Sequence, residues 1–258
     1  MSWASRRRLV IICILFIFFG GITFLIAAPK IFKEPTCMDL KQNGDETGID
    51  CGGTCVRVCE AEASDPTILW ARAFPVSGSI YNAVAYIENT NNAAIENYPY
   101  EFRFYDSKGI FADRVSGTTT IPPLGRYAIV ATGINAGNTT ISRTTFQFAS
   151  QHGPWKSVPE EITSLRLITS NVSLEGVDSV PKLTATLTNG SPTLSPTNVT
   201  VVAILYDKDD NAITASRTLI AEFPANSKKT IFFTWPKKLE TEVIRYEIIP
   251  IIDVFHVE

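Results

Sequence analysis

The longest apolar run of the chain lies at 9–28, LVIICILFIFFGGITFLIAA, where Thr23 carries the one polar hydroxyl and no charge interrupts. A helix rises about 1.5 Å per residue, so the run would extend about 30 Å, the thickness of a bilayer's hydrocarbon core. A helix also satisfies its own backbone hydrogen bonds, as lipid requires. Arg6, Arg7 and Arg8 precede the run, and Lys30, Lys33 and Glu34 follow it. Because positive flanks stay in the cytoplasm, the pattern predicts a cytoplasmic tail at 1–8, a single-pass transmembrane anchor at 9–28 and an extracytoplasmic remainder. The run exceeds the roughly 7–15-residue core of a cleaved signal peptide, and Pro29 after Ala28 makes a poor cleavage site. The anchor is therefore expected to stay attached, with Cys13 as a small apolar residue within it.

From residue 67 onward the pattern changes to short apolar or alternating runs separated by Asn, Gly, Ser and Pro. Candidate strands fall at 68–73, 81–88, 100–106, 114–121, 127–131 and 144–148. A second series follows at 165–169, 182–188, 199–207, 212–222, 229–235 and 243–250. The clearest alternation sets Tyr100, Phe102 and Phe104 on one face and Glu101, Arg103 and Tyr105 on the other, the pattern of a half-buried strand. In the later series Val199, Val201, Ala203 and Leu205 alternate with Thr200, Val202, Ile204 and Tyr206. That run is apolar on nearly both sides and predicts a more covered strand.

The two series repeat one plan. Phe104-Tyr105-Asp106 and Leu205-Tyr206-Asp207 lie 101 residues apart, and the same offset relates Pro123 to Pro224. This predicts a mainly β fold with two tandem sandwich domains of about seven strands each, at 67–150 and 161–258. The Pro- and Gly-containing stretch 151–160 reads as the link between them. Trp155 within it is expected at the junction and is the one candidate binding residue.

Composition narrows the function classes. The 258 residues carry a formal charge of −3, with no basic stripe interleaved with aromatics, which argues against a nucleic-acid partner. The chain has two histidines, His152 and His256. No nucleophile elbow, Walker motif, dinucleotide fingerprint or zinc-protease helix motif is present. The acidic stretch Asp207-Lys208-Asp209-Asp210-Asn211 sits where a hairpin needs polar turn residues. The sequons at Asn138, Asn171, Asn189 and Asn198 read as ordinary polar loops. The expectation is a structural or binding module rather than an enzyme, with an accessory subunit of a membrane or envelope complex and an envelope hydrolase as alternatives.

Four of the five cysteines, Cys37, Cys51, Cys55 and Cys59, cluster at 29–66 with intervals of thirteen, three and three residues. Outside the cytoplasm they would form two disulfides, with three pairings open. A zinc site of four thiolates is the alternative, although the first interval leaves Cys37 without a close partner. Asp39, Asn43, Asp45, Glu46 and Asp50 gather oxygens in one short loop and form a candidate calcium site, the one cofactor considered. The plainer reading of that loop is an acidic turn.

The run Cys37-x-Asp39, then Asn43-Gly44-Asp45-Glu46-Thr47-Gly48-x-Asp50-Cys51-Gly52-Gly53-x-Cys55, resembles a short Cys-rich motif of bacterial secreted and surface proteins. The resemblance spans about 25 residues and implies an exported bacterial-type protein. It brings no catalytic residue. Leu40-Lys41 stands where that motif often has Gly-Ile. The region from 67 onward resembles the immunoglobulin- or fibronectin-III-like modules of bacterial envelope proteins. Such modules imply spacing, adhesion or docking of a protein partner.

Overall fold

The computed structural model describes residues 3–31 and 36–257. Helix α1 (Trp3–Ile31) has its side chains described at Trp3 and at 11–24, where they are exposed. Among the described residues, no helix is long and apolar enough to cross a membrane. The expected anchor at 9–28 is corrected on that ground. So are the readings built on it: the membrane as partner, the cytoplasmic N-terminus and the single-pass topology with extracytoplasmic domains. The side chains of Arg6, Arg7, Arg8, Ala27, Ala28, Pro29 and Lys30, and all of Lys33 and Glu34, lie outside the described residues.

Six strands follow the Cys-rich segment: β1 (Thr67–Ser77), β2 (Ile80–Asn89), β3 (Ile95–Tyr105), β4 (Phe111–Ile121), β5 (Gly125–Asn135) and β6 (Arg143–Phe148). After the one-turn helix α2 (Glu160–Thr163) come β7 (Leu167–Glu175), β8 (Lys182–Asn189), β9 (Thr197–Tyr206), β10 (Ala212–Glu222), β11 (Ser227–Thr234) and β12 (Arg245–Ile251). They pair antiparallel in four three-stranded sheets, ordered β1-β2-β5, β4-β3-β6, β11-β8-β7 and β10-β9-β12. The second six strands repeat the connectivity of the first, with β7 standing for β1 and so on to β12 for β6. Tyr105 ends β3 and Tyr206 ends β9, each the middle strand of its sheet.

The expected immunoglobulin-like sandwiches of about seven strands are corrected here. Each half has six strands, in open three-stranded sheets rather than a closed sandwich. The physical reason lies in the leftover sequence. The segment between β6 and α2 carries Gly153, Pro154 and Pro159, which break a ladder and remove donors. Pro123 and Pro224 fall between β4 and β5 and between β10 and β11, where no ladder donor is needed.

Three apolar layers hold the sheets. Ala83, Ala85 and Ile87 of β2 share a core with Phe102 and Phe104 of β3 and with Phe146 of β6. Leu183, Ala185 and Leu187 of β8 share another with Val199, Val201, Ala203 and Leu205 of β9. The third lies between the halves: Phe74, Val84, Tyr86 and Ala128 meet Val202, Ile204, Tyr206, Ala212, Ala215 and Ile249. Sheet β1-β2-β5 therefore packs on sheet β10-β9-β12, and the molecule is a stack of four sheets. Strands β2 and β9 are covered on both faces, which accounts for their nearly continuous apolar runs. Each fully buried Val or Ile in such a layer contributes about 1.5–3 kcal/mol relative to exposure.

The stacking is head-to-tail, because β10-β9-β12 corresponds in connectivity to β4-β3-β6, not to β1-β2-β5. On the two remaining outer faces the middle strands are polar, while Phe232 of β11 and Ile168 of β7 stay exposed beside β8. There β3 carries Glu101, bonded at 2.5 Å to Arg103 and 3.7 Å from Arg114. The outer face of β8 carries Lys182, Thr184, Thr186 and Thr188.

Equivalent loops are closed by equivalent asparagines. Asn89 Nδ2 donates to the carbonyls of Ala93 and Pro122. Asn189 Nδ2 donates to those of Leu194, Phe223 and Pro224. Asp106 Oδ1 accepts from the N–H groups of Lys108 and Ile110, and Asp207 Oδ1 from those of Asp209 and Asn211. The turn expected at 207–211 is thus present. Asn189, read from the sequence as part of a polar loop, is instead fully buried.

Candidate functional site

The Cys-rich segment is a stapled head on the first half. Cys37 is bonded to Cys55 and Cys51 to Cys59. Among the described residues Cys13 is the free cysteine. Gly53, at φ +58°, lets the chain turn where a Cβ would meet the Asp45 carbonyl oxygen. The head is clipped to the strands by 155–157. Val58 N–H donates to the Trp155 carbonyl, Ser157 N–H to the Val56 carbonyl, and Lys156 exchanges two backbone bonds with Ala94. The Lys156 ammonium lies 2.8 Å from Glu96, whose carboxyl is held below its ordinary range by that contact.

Trp155 is 3% exposed and packs in the first core, with its ring edge toward Tyr98. It plugs the seam between head and strands and presents no open surface to a ligand. His152 lies beside the same tyrosine, and His256 Nδ1 is 3.0 Å from Asp253 Oδ2.

The acidic loop spends its oxygens on its own backbone. Asp50 accepts from the N–H groups of Asp39 and Leu40, and Asp39 from Lys41 N–H and from Asn43 Nδ2. Glu46 Oε2 accepts from Asn43 N–H, and the Asp45 carbonyl packs against Gly53. The five candidate calcium ligands do not converge as a set. What converges is Cys37, Glu46 and Cys55, whose ligand atoms lie within 4.8 Å of one another.

That cluster stands against the expectation of a structural or binding module rather than an enzyme, since two sulfurs and a carboxylate are ligand types that hold zinc. In the disulfide form the sulfurs are bonded to each other, and Glu46 Oε1 lies 3.4 Å from Cys55 Sγ. The full set of three ligands exists when the Cys37–Cys55 bond is reduced, because the thiolate is the ligating species.

The head also displays apolar side chains. Met38 is 92% and Leu40 82% exposed, and Ile49 and Val56 are exposed elsewhere in the same Cys-rich segment. Leu40 adopts φ 60°, a left-handed conformation unfavourable for a side chain of its size. Its N–H is held by both oxygens of Asp50, which fix that conformation.

A second cluster of polar groups lies between the halves; sequence reasoning named Tyr206 and Asp210 there, as strand-end and turn residues, but not Tyr86, Glu247, Arg245 or Arg72. The Tyr86 hydroxyl donates to Glu247 Oε1 at 2.6 Å and the Tyr206 hydroxyl to Glu247 Oε2 at 2.9 Å. Burial, together with the adjacent Glu247 carboxylate, pushes both phenols up. The Arg245 guanidinium lies 3.7 Å above the Tyr206 ring and bonds Asp210. Arg72 Nη1 crosses from the first half to the Ala212 carbonyl at 2.6 Å. Glu247 shares its strand face with Arg245 and Ile249, and nothing local in the sequence names its partners.

Beside this network a cleft of about 630 Å³ opens between the halves, lined by Pro75, Val76 and Asn82 on one side and by segments of β10 and of 234–241 on the other. Trp235 lines it, is 6% exposed, and its indole Nε1–H has no hydrogen-bond partner among the described residues. A buried donor left unpaired costs about 1–3 kcal/mol.

No family model matches the chain, and no curated protein matches it. Among solved structures, it is similar to red sea bream transglutaminase at 11% identity and TM-score 0.25, over 74% of this chain and 30% of that one. It is also similar to the Amycolatopsis orientalis exo-chitosanase CsxA at 10% identity and TM-score 0.23, over 60% of this chain and 22% of that one. The chain thus spans less than a third of either.

Proposed function

We propose that the chain is a protein-binding accessory subunit whose stapled head docks a partner while the four-sheet stack holds that head in place. The observation that carries this reading is Leu40, 82% exposed and fixed in a left-handed conformation by the Asp50 carboxylate. Backbone strain of this kind concentrates at binding and switching sites. Apolar side chains held rigid before contact lose little freedom on binding, so their burial converts more fully into affinity. Met38 and Leu40 therefore act as anchors of a small interface. The likeness of the head to a Cys-rich motif of bacterial secreted and surface proteins belongs to the same proposal, because the motif's paired cysteines supply the staple.

The test uses the full chain as bait with quantitative cross-linking in native extract. Leu40→Gly suits the observed φ and removes the side chain, so it should keep the head folded and abolish capture of a partner that the unaltered chain enriches. Capture that survives both Leu40→Gly and Met38→Asp would reject the head as the docking element.

A second reading is favoured by the convergence of Cys37, Glu46 and Cys55: a head that holds a metal ion in its reduced form. Metal content measured on reduced and oxidised chain separates this reading from the first.

A further inference from the structure

The outer face of sheet β4-β3-β6 gathers three arginines against one glutamate, in a chain whose formal charge is −3. The register sets Arg103 directly opposite Arg114, and in the next row Phe111, Tyr105 and Arg143 lie side by side. Like charges directly opposite each other repel. Glu101 serves both arginines of the first row, at 2.5 Å from Arg103 and 3.7 Å from Arg114. Arg143 is exposed, stacks over the Tyr105 ring and has no carboxylate partner among the described residues. Phe111 and its neighbour Ile110 are exposed as well. Arginine and aromatic side chains are the types enriched at protein interfaces. The stapled head has the opposite character. Between 36 and 62 it carries six carboxylates against Lys41 and Arg57. Of these, Asp45, Glu60 and Glu62 are exposed and form no ion pair among the described residues.

We propose that the head of one copy docks on this face of a second copy, its carboxylates meeting Arg103, Arg114 and Arg143 while Met38 and Leu40 meet Phe111 and Tyr105. The proposal rests on the reading of the head as a docking element and names its partner. A chain cannot make this contact with itself. Lys156 clips the head to Ala94 and Glu96, at the start of β3. The seven steps from Glu96 to Arg103 cover roughly 20 Å along the strand, so the patch lies beyond the reach of its own head. Water on the arginines keeps an apolar surface away. A carboxylate can take that water's place, because it restores the hydrogen bonds that the guanidinium gives up. Head and face are different surfaces, so copies add in one direction and the assembly grows with concentration.

The test is sedimentation velocity of the purified full chain over a concentration series. Species larger than a dimer should grow with concentration and dissolve as salt rises from about 0.05 to about 0.5 M, since exposed charges are screened. Arg114→Glu with Arg143→Glu blocks the face, and Glu60→Lys with Glu62→Lys blocks the head. Each double variant alone should be monomeric. Mixed one to one, they should form a dimer and nothing larger, because the first keeps its head and the second its face. Should the reversed face fail to fold, Arg114→Gln with Arg143→Gln is the milder variant and should weaken association at least about tenfold. The proposal is overturned by a chain that stays monomeric throughout, or by folded variants that stay monomeric when mixed. It is also overturned by association indifferent to salt and to both variants, as the exposed apolar side chains of α1 would give. A monomeric chain whose partner in extract is still lost with Leu40→Gly overturns the self-docking alone. Capture that survives Leu40→Gly and Met38→Asp removes the head reading itself.

Discussion

The Tyr86 hydroxyl of the first half donates a 2.6 Å hydrogen bond to Oε1 of Glu247 in the second half, 161 residues further along the chain. The other oxygen of the same carboxylate accepts from Tyr206 within its own half. One charged group therefore satisfies a phenol on each side of an otherwise apolar sheet-on-sheet contact. Direction is built into this arrangement, since an apolar layer alone would let the sheets slide while a bonded carboxylate sets one register.

Removing the acceptor should expose that dependence. Glu247→Ala leaves two buried hydroxyls unpaired and is expected to cost on the order of 3 kcal/mol. The triple change Tyr86→Phe, Tyr206→Phe and Glu247→Leu removes donors and acceptor together and should cost less than Glu247→Ala alone. Urea unfolding of both variants measures the difference.

The tyrosines set the response to alkali. Burial raises the phenols of Tyr86, Tyr98 and Tyr206 above their ordinary range, and the adjacent Glu247 or Asp65 carboxylate adds to it. Burial pushes Tyr127 up to about 12. An unfolded tyrosine ionises near pH 10, so above that pH the unfolded chain releases protons that the folded chain keeps. The stability contributed by these groups is complete below about pH 10 and is lost as pH rises through the folded values. Denaturant midpoints should hold steady from pH 8 to about 10 and then fall. Tyr127→Phe should soften the part of that fall between about 10 and about 12.

The paired asparagines predict a graded effect. Asn189 closes its loop through three carbonyls and Asn89 through two. Each to Ala should destabilise by about 2–3 kcal/mol, with the larger loss at Asn189. Thermal melts of the two single variants decide the order.

Reduction tests the head. Peptide mapping without reductant should recover Cys37 with Cys55 and Cys51 with Cys59, and Cys13 as free thiol. Reduced chain should take up zinc that oxidised chain does not, and Glu46→Gln should lower the uptake, because the carboxylate is the third ligand. Metal analysis after gel filtration provides the readout.

The sequence-to-structure correspondence was good where a signal is local. The alternation at Tyr100, Phe102 and Phe104 marks a strand whose Phe102 and Phe104 are buried. The two-sided apolar run at 199–206 announces a strand covered on both faces, as β9 is. Turn chemistry at Asp106 and Asp207 was legible because an aspartate two residues before its own backbone donors acts without distant help. What was not legible depends on pairings across the fold. Glu247 looks like any outward charge until Tyr86 is brought to it. Trp155 lies in a Pro-rich stretch that resembles a free link, yet its carbonyl and ring are claimed by the head and by Tyr98. The apolar run at 9–28 invited a membrane reading on pattern alone. The strand count was overestimated because the seventh strand came from resemblance to a sandwich family, with no seventh run in the sequence to support it.

The offset between the two docked sheets reaches beyond this pair. A contact made by different surfaces of two like units is, in principle, open-ended: each added unit offers the next one the same landing place, and filaments grow in this way. Here the middle strand of each free end is polar. The face of β3 that matches the docked face of β9 carries Glu101, Arg103 and Tyr105 where β9 has Val202, Ile204 and Tyr206. The face of β8 that matches β2 is a row of threonines behind Lys182. A newcomer would have to strip water from an arginine–glutamate pair and several hydroxyls to gain a foothold. The growth that the geometry permits thus meets a desolvation cost at the middle strand of each outer face.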